Sequence, residues 1–191
     1  MFKKLLAAEF EPHGVLSEDQ LAKLEAHYLS LTRWNERLNL TRIVGLSESV
    51  KFHYCESLFL ARHLPPGPLS VVDIGSGAGF PGIPLAIFRP ECQVSLVEAH
   101  QRKSVFLREA SRDLKNVKVL PKRAELVTEK FDWLVSRAVS PSDVLGLNLT
   151  DSIALLISQE DASNLDGDSK PIPWGNQRVL FHVKRKSQSD D

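Results

Sequence analysis

The sequence carries no excess charge of either sign: 24 lysines and arginines stand against 24 aspartates and glutamates in 191 residues. Neutrality weighs mildly against strong nonspecific attraction to nucleic acid and leaves local patches open. Cysteine is scarce. Cys55 and Cys92 sit in apolar-rich stretches without a CxxC partner, so a disulfide scaffold is excluded and reduced structural thiols are expected. No run approaches the ~20 apolar residues of a membrane span. Glu9 and Glu11 interrupt the opening MFKKLLAAEF too early for a signal peptide, and a cytoplasmic protein is expected. The six histidines, at 13, 27, 53, 63, 100 and 182, show no zinc-ligand spacing, and no metal is expected. With 42% hydrophobic residues, wholesale disorder is excluded. The length fits one domain of ordinary core size and leaves little room for a separate substrate domain.

What is present is periodic. Residues 17–37 predict an amphipathic helix: Ser17 and Gln20 form a capping-box pattern, and Leu21, Leu24, Tyr28, Leu31, Trp34 and Leu38 recur at three- and four-residue steps. A second helix is predicted from an N-cap near Ser47 to His63. PPGP at 65–68 then breaks the chain, which divides a helical extension, 1–66, from an α/β unit, 67–191. In that unit VVDI (71–74), QVSLVE (93–98), VKVL (117–120), FDWLVS (131–136), IALLIS (153–158) and RVLFHV (178–183) read as strands. Helices are predicted at 81–89, with Pro81 in the first turn, at 101–114 through Val105, Phe106, Ala110 and Leu114, and after Ser140–Pro141. Alternation of this kind means a mostly parallel sheet with helices on both faces. Residues 159–176 are polar, acidic and rich in breakers, and read as a loop; KRKSQSDD reads as a frayed tail.

The informative stretch is VVDIGSGAGFPGIPLAI (71–87). A buried strand runs into Gly75, Gly77 and Gly79, and a helix follows. Such a turn permits positive φ and lets a ligand press against bare backbone, with the N–H groups of the helix start facing it. At the carboxyl end of the first strand of an open α/β sheet, it is where ligands bind. Gly77-x-Gly79-x-x-Gly82 also satisfies the dinucleotide fingerprint, a weak signal alone. Asp73, two residues before Gly75, favours a ligand bearing an ammonium and a sulfonium over a pyrophosphate. Glu98, at the end of the second strand, suits ribose hydroxyls in either nucleotide class.

WNERLNLTRI (34–43), FHYCESL (52–58), DIGSGAGFPGIPLAI (73–87), KRAEL (122–126) and SRAV (136–139), in this order and spacing, resemble the bacterial 16S rRNA guanine-N7 methyltransferase G family, also called glucose-inhibited division protein B. The likeness covers about residues 1–140. It implies a Rossmann-like fold binding S-adenosylmethionine (SAM) and methyl transfer to N7 of one guanine near the decoding centre, with 16S rRNA or the small ribosomal subunit as partner and a monomeric enzyme. It implies cofactor contacts at Gly75, Phe80, Ala124, Glu125 and Arg137, joined on the physical argument by Asp73, Glu98 and the glycines at 77 and 79. His53, Arg102, Lys103 and Arg123 match charged family positions and are candidates for RNA contact. Phe52 stands where the family has a basic residue, and Glu56 where it has aspartate. After residue 140 the match is poor: the glycine-rich turn before the fifth strand is missing, and the acidic segment 159–176 replaces one strand of the terminal hairpin.

Guanine N7 carries a lone pair and no proton, so catalysis needs no residues beyond those that position the substrate. N7 faces the major groove, which is deep and narrow in A-form RNA, so the target guanine must sit in a loop or leave its stack. Residues 102–123 hold Arg102, Lys103, Arg108, Arg112, Lys115, Lys118, Lys122 and Arg123 against Glu109 and Asp113, which fits a phosphate-facing patch. The three tryptophans read as core or rim residues. Two other readings remain open: a nicotinamide-dependent oxidoreductase, and a non-catalytic RNA-binding or ribosome-assembly module on a degenerate methyltransferase fold.

Overall fold

A computed structural model describes residues 1–175 and 177–184. Seven strands form one sheet: β1 (Ser70–Ile74), β2 (Gln93–Val97), β3 (Val117–Leu120), β4 (Trp133–Arg137), β5 (Ser152–Ser158), β6 (Asp168–Pro171) and β7 (Arg178–Lys184), in the order β3-β2-β1-β4-β5-β7-β6. The first five are parallel, and β7 runs antiparallel to both β5 and β6. Strand order reverses between β1 and β4, where Asp73 pairs with Val135 and Ile74 with Ser136. A crevice opens beyond the carboxyl ends of such a pair, which makes it the default ligand position.

The central strands β1, β4 and β5 read as continuous apolar runs because both faces are covered. Alternate residues enter different cores: Val71, Trp133, Ala154 and Leu156 face one, while Val72, Leu134, Ile153 and Leu155 face the other. The first core takes most of the helical mass: α1 (Phe2–Phe10), α2 (Glu18–Leu38), α4 (Glu56–His63), α5 (Gly82–Phe88) and α6 (Gln101–Ala110). The short helices α7 (Pro141–Gly146) and α8 (Gln159–Ser163) pack Val144 and Ala162 into the second.

Ser17 caps α2 with the full reciprocal box: Gln20 N–H donates to Ser17 Oγ, and Ser17 N–H donates to the Gln20 side chain. Four expectations need correction. Residues 2–10, assigned no helix from sequence, form α1 because Phe2, Leu6 and Phe10, four apart, are all buried. The helix expected from Ser47 begins after Gly45 as α3 (Leu46–Ser49), then widens into π-helical turns over Val50–Cys55 before α4. Helix α6 stops at Ala110, and Val105, expected in its core stripe, is 49% exposed. The segment 159–176 is no plain loop. It holds α8 and β6, so the terminal hairpin is present. All four β6 residues are exposed, so no apolar pattern marked it. The tail expected to fray lies outside the described residues beyond Lys184.

Candidate functional site

The bend after β1 is fixed from both sides. Gly75 and Gly77 have φ of 70° and 54°, left-handed values that favour glycine. The N–H groups of Gly75 and Ser76 both donate to the Val97 carbonyl, at 3.0 and 3.1 Å, and Gly77 N–H donates to Glu98 Oε2 at 2.9 Å. Glu98 Oε1 accepts from His100 N–H at 2.8 Å. Glu98 therefore ties the turn to the loop after β2.

A crevice of about 310 Å³ lies at this turn, lined by Gly75, Glu98, Ala99, Ala124, Glu125 and Val139 among others. It gathers four of the residues singled out in the sequence, and Arg123, a fifth, stands on its wall. A Cβ on Gly75 would meet Val139 Cγ2 at 2.5 Å, so the bare backbone is a spatial requirement as well as a conformational one.

Asp73 is not on that wall. Its carboxylate, expected to point into the pocket, is fully buried beneath the turn, where Oδ2 accepts Gly82 N–H at 3.0 Å at the start of α5. That bond occupies a helix-start donor the sequence reading left free for a ligand. Among the described residues Asp73 Oδ1 has no hydrogen-bond partner. Burial pushes this carboxyl up to about 7, against the lowering effects of Ser76, Gly82 and Arg137.

Phe80 and Arg137 are likewise set back from the crevice. Phe80 is 2% exposed and lies between two cationic or polar faces: the His53 ring stacks on it at 4.5 Å, and the Arg137 guanidinium sits 5.1 Å from its centroid. Arg137 also donates to the Phe52 carbonyl at 2.6 Å. Burial lowers Arg137 to about 10, which leaves it charged at neutral pH. Gly79 continues the bend at φ 89°, and its absent Cβ leaves room for Ile83 and His27.

His53, a candidate for RNA contact, is buried. Its Nε2 lies 2.8 Å from Thr41 Oγ1, and burial together with Arg137 holds the ring neutral by pulling its pKa far down. Packing has taken the side chain that exposure would have offered to RNA. Arg102 and Lys103, at the start of α6, and the exposed Arg123 make no salt bridge among the described residues. Glu109, the main counter-charge on α6, is engaged by Trp34 Nε1 at 3.0 Å and Arg33 at 3.6 Å.

A second cavity, about 570 Å³, was not legible in the sequence. Phe52, Glu56, Arg137, Ala138, Trp174 and Arg178 line it. Glu56 is fully buried, and Oε1 accepts from Arg178 Nε at 3.0 Å while Oε2 has no partner among the described residues. Burial raises the pKa of its carboxyl, although Arg178 and Arg137 oppose the shift. The available signal was an acid inside the apolar helix run YCESLFLA, which could stay charged there only beside a cation from elsewhere.

The fold has many relatives of low identity. A SAM-dependent methyltransferase from Aquifex aeolicus superposes with a TM-score of 0.55 at 11% identity, over 71% of this chain and 92% of that one. Aeropyrum pernix fibrillarin, solved with SAM bound, gives 0.50 at 15% identity, over 63% and 68%. These establish the Rossmann-like methyltransferase fold. Sequence relatives are nearer. Ribosomal RNA small subunit methyltransferase G of Chloroflexus aggregans is 41% identical over 138 residues, 68% of this chain and 58% of that protein. The Dichelobacter nodosus protein of the same name is 48% identical over 130 residues, 65% and 61% respectively. The chain thus spans about three fifths of the length of these relatives. The family described as rRNA small subunit methyltransferase G matches residues 20–164, which extends past the point near residue 140 where the sequence likeness was expected to end. On that match, which takes in the glycine turn, the bend after β4 that lines both cavities, and α8, the chain belongs to the rRNA small subunit methyltransferase G family.

Proposed function

We propose that this chain transfers a methyl group from SAM to N7 of a guanine in 16S rRNA, acting as a cytoplasmic monomer on that RNA or on the small subunit. The observation that carries the reading is the family match across the turn from Asp73 to Gly82, whose chemistry suits a cationic nucleoside. Among the described residues Asp73 Oδ1 is a buried acceptor without a donor, and at Gly77, where an added Cβ would meet only the Gly75 carbonyl at 3.7 Å, the bend leaves a cradle that a side chain would fill. Both fit a ligand carrying an ammonium beside an adenosine. Among the described residues no helix is long and apolar enough to cross a membrane.

In this reading residues 1–66 are a helical extension and 67–191 the cofactor-binding unit. Glu98 accepts from ribose hydroxyls, and Ala124 and Glu125 border the adenine. Arg137 holds the carboxylate of the amino-acid tail, and Asp73 acts on its ammonium through charge from beneath the turn. SAM supplies an electrophilic methyl on a sulfonium. The chain need not remove a proton from N7; its residues hold the base in line and exclude water, a positioning effect worth up to about 7–11 kcal/mol. Arg102, Lys103 and Arg123 attract phosphates.

Incubation of the chain with methyl-labelled SAM and 16S rRNA or small subunits, followed by mass mapping, tests this. Label on N7 of a single guanine is expected. Binding of the RNA with steep salt dependence but no transfer would instead favour the non-catalytic module.

A further inference from the structure

We propose that the second cavity receives the target guanine and that Glu56 is the side chain that recognises its Watson–Crick edge. This rests on the methyltransferase reading and adds the residue that selects the base. Glu56 is a fully buried carboxylate whose Oε2 has no donor among the described residues. A buried charge with an unused acceptor is costly, and a ligand that brings N–H groups relieves it. Among the bases, guanine alone presents two adjacent donors, N1–H and N2–H, without an intervening acceptor. Adenine and cytosine place a ring-nitrogen acceptor beside their amino group, and uracil flanks its N3–H with two carbonyls; each would set a lone pair against the carboxylate.

The surroundings fit a base. Phe52 and Trp174 offer aromatic surface on which it can stack. Arg178 is fixed by Glu56 Oε1 through Nε, which leaves its two other guanidinium nitrogens as donors for guanine O6 and a phosphate. The position also fits. Arg137 and Ala138 line this cavity, and Val139, the next residue, lines the crevice beside Gly75 and Glu98. Consecutive residues of the bend after β4 thus line the two cavities, and Ala138 there holds φ of 62°, uncommon for a residue with a side chain. Gripped at N1 and N2, the base leaves N7 free on its other edge.

The test titrates the full chain, saturated with S-adenosylhomocysteine (SAH), with GMP, IMP and AMP, read by saturation-transfer NMR and tryptophan fluorescence. IMP differs from GMP only by the N2 amino group. Wild type is expected to bind GMP about tenfold more tightly than IMP, the scale of one hydrogen bond to a charged group, and AMP more weakly still. Glu56→Gln is expected to bring the GMP-to-IMP ratio near one with SAH affinity unchanged within about twofold. Glu56→Asp, which keeps the acceptor, is expected to retain the preference. Equal affinities in wild type, no detectable GMP binding, or a preference that survives Glu56→Gln would overturn the assignment. Methyl transfer from labelled SAM by the same preparation separates the two readings: transfer without a role for Glu56 removes only this inference, while absent transfer and absent SAH binding remove the proposed function.

Discussion

Asp73 Oδ2 accepts the Gly82 N–H at 3.0 Å, and a Cβ on Gly82 would stand 2.6 Å from that same oxygen. The third glycine of the apparent dinucleotide fingerprint is therefore needed for the approach of a carboxylate from β1, and for that of Leu96, whose Cδ2 would lie 2.3 Å from the added carbon. Gly82→Ala is expected to lower stability by about 1–3 kcal/mol through overpacking. Urea unfolding measures it, with Gly146→Ala, where nothing lies within 4 Å, as the comparison expected to change little.

Gly77→Val is expected to abolish SAH binding. The residue holds φ of 54°, which a β-branched side chain resists, and its N–H is the link to Glu98. Calorimetry on a variant that keeps the wild-type circular dichroism spectrum gives the answer; retained binding would show that the turn is not the site.

The Asp73 carboxyl titrates near 7 in the folded chain against an ordinary 3.8, because burial disfavours its charge. Between those values the folded state holds a proton that the unfolded state lacks, so this group's contribution falls as pH rises. Asp73→Asn, which can still accept from Gly82, is expected to gain on wild type by on the order of 3 kcal/mol from pH 4 to 7. Denaturant titrations across that range check it, and a flat difference would contradict it.

His27 works in the opposite direction. It is buried between Tyr54 Oη, 2.9 Å from Nδ1, and the Ala78 carbonyl, 3.1 Å from Nε2, and burial lowers its pKa to about 4. The unfolded state takes a proton near the usual 6.5, so stability drops as pH falls from about 6.5 to 4. His27→Leu is expected to cost about 1–3 kcal/mol at neutral pH, since it leaves the Tyr54 hydroxyl buried without its partner. The variant should lack this part of the acid sensitivity in thermal unfolding.

Much of the fold was legible because its signals are local. Ser17 and Gln20 announce α2, VVDI is apolar enough to be a strand buried on both faces, and QVSLVE and VKVL alternate as half-buried strands do. What was missed depends on distant partners. Helix α1 exists because three side chains find a core supplied by α2 and the π-helical turns; β6 exists through its ladder to β7 alone. The glycine turn was legible for the same reason as the strands. The orientation of Asp73 was not: only the folded chain shows that α5 begins within reach of its carboxylate. His53 was ambiguous because a histidine on an apolar helix face reads the same whether it meets solvent or, as here, Phe80.

Arg102, Lys103 and Arg123 carry the charge expected to meet phosphate. Replacing each with alanine should weaken rRNA binding about equally across sequences and reduce the slope of log K against log salt by about 0.7–0.9 per lost contact; for Arg102 and Lys103, which lie off the crevice wall, this should leave SAH affinity unchanged. Filter binding at several salt concentrations measures this.

The most direct measurement is a calorimetric titration of the full chain with SAH and, separately, with NADH. Saturable one-site binding of SAH that Gly77→Val removes, with no heat from NADH, is the expected result. Tight binding of NADH alone would contradict the assignment of this turn to a cationic nucleoside.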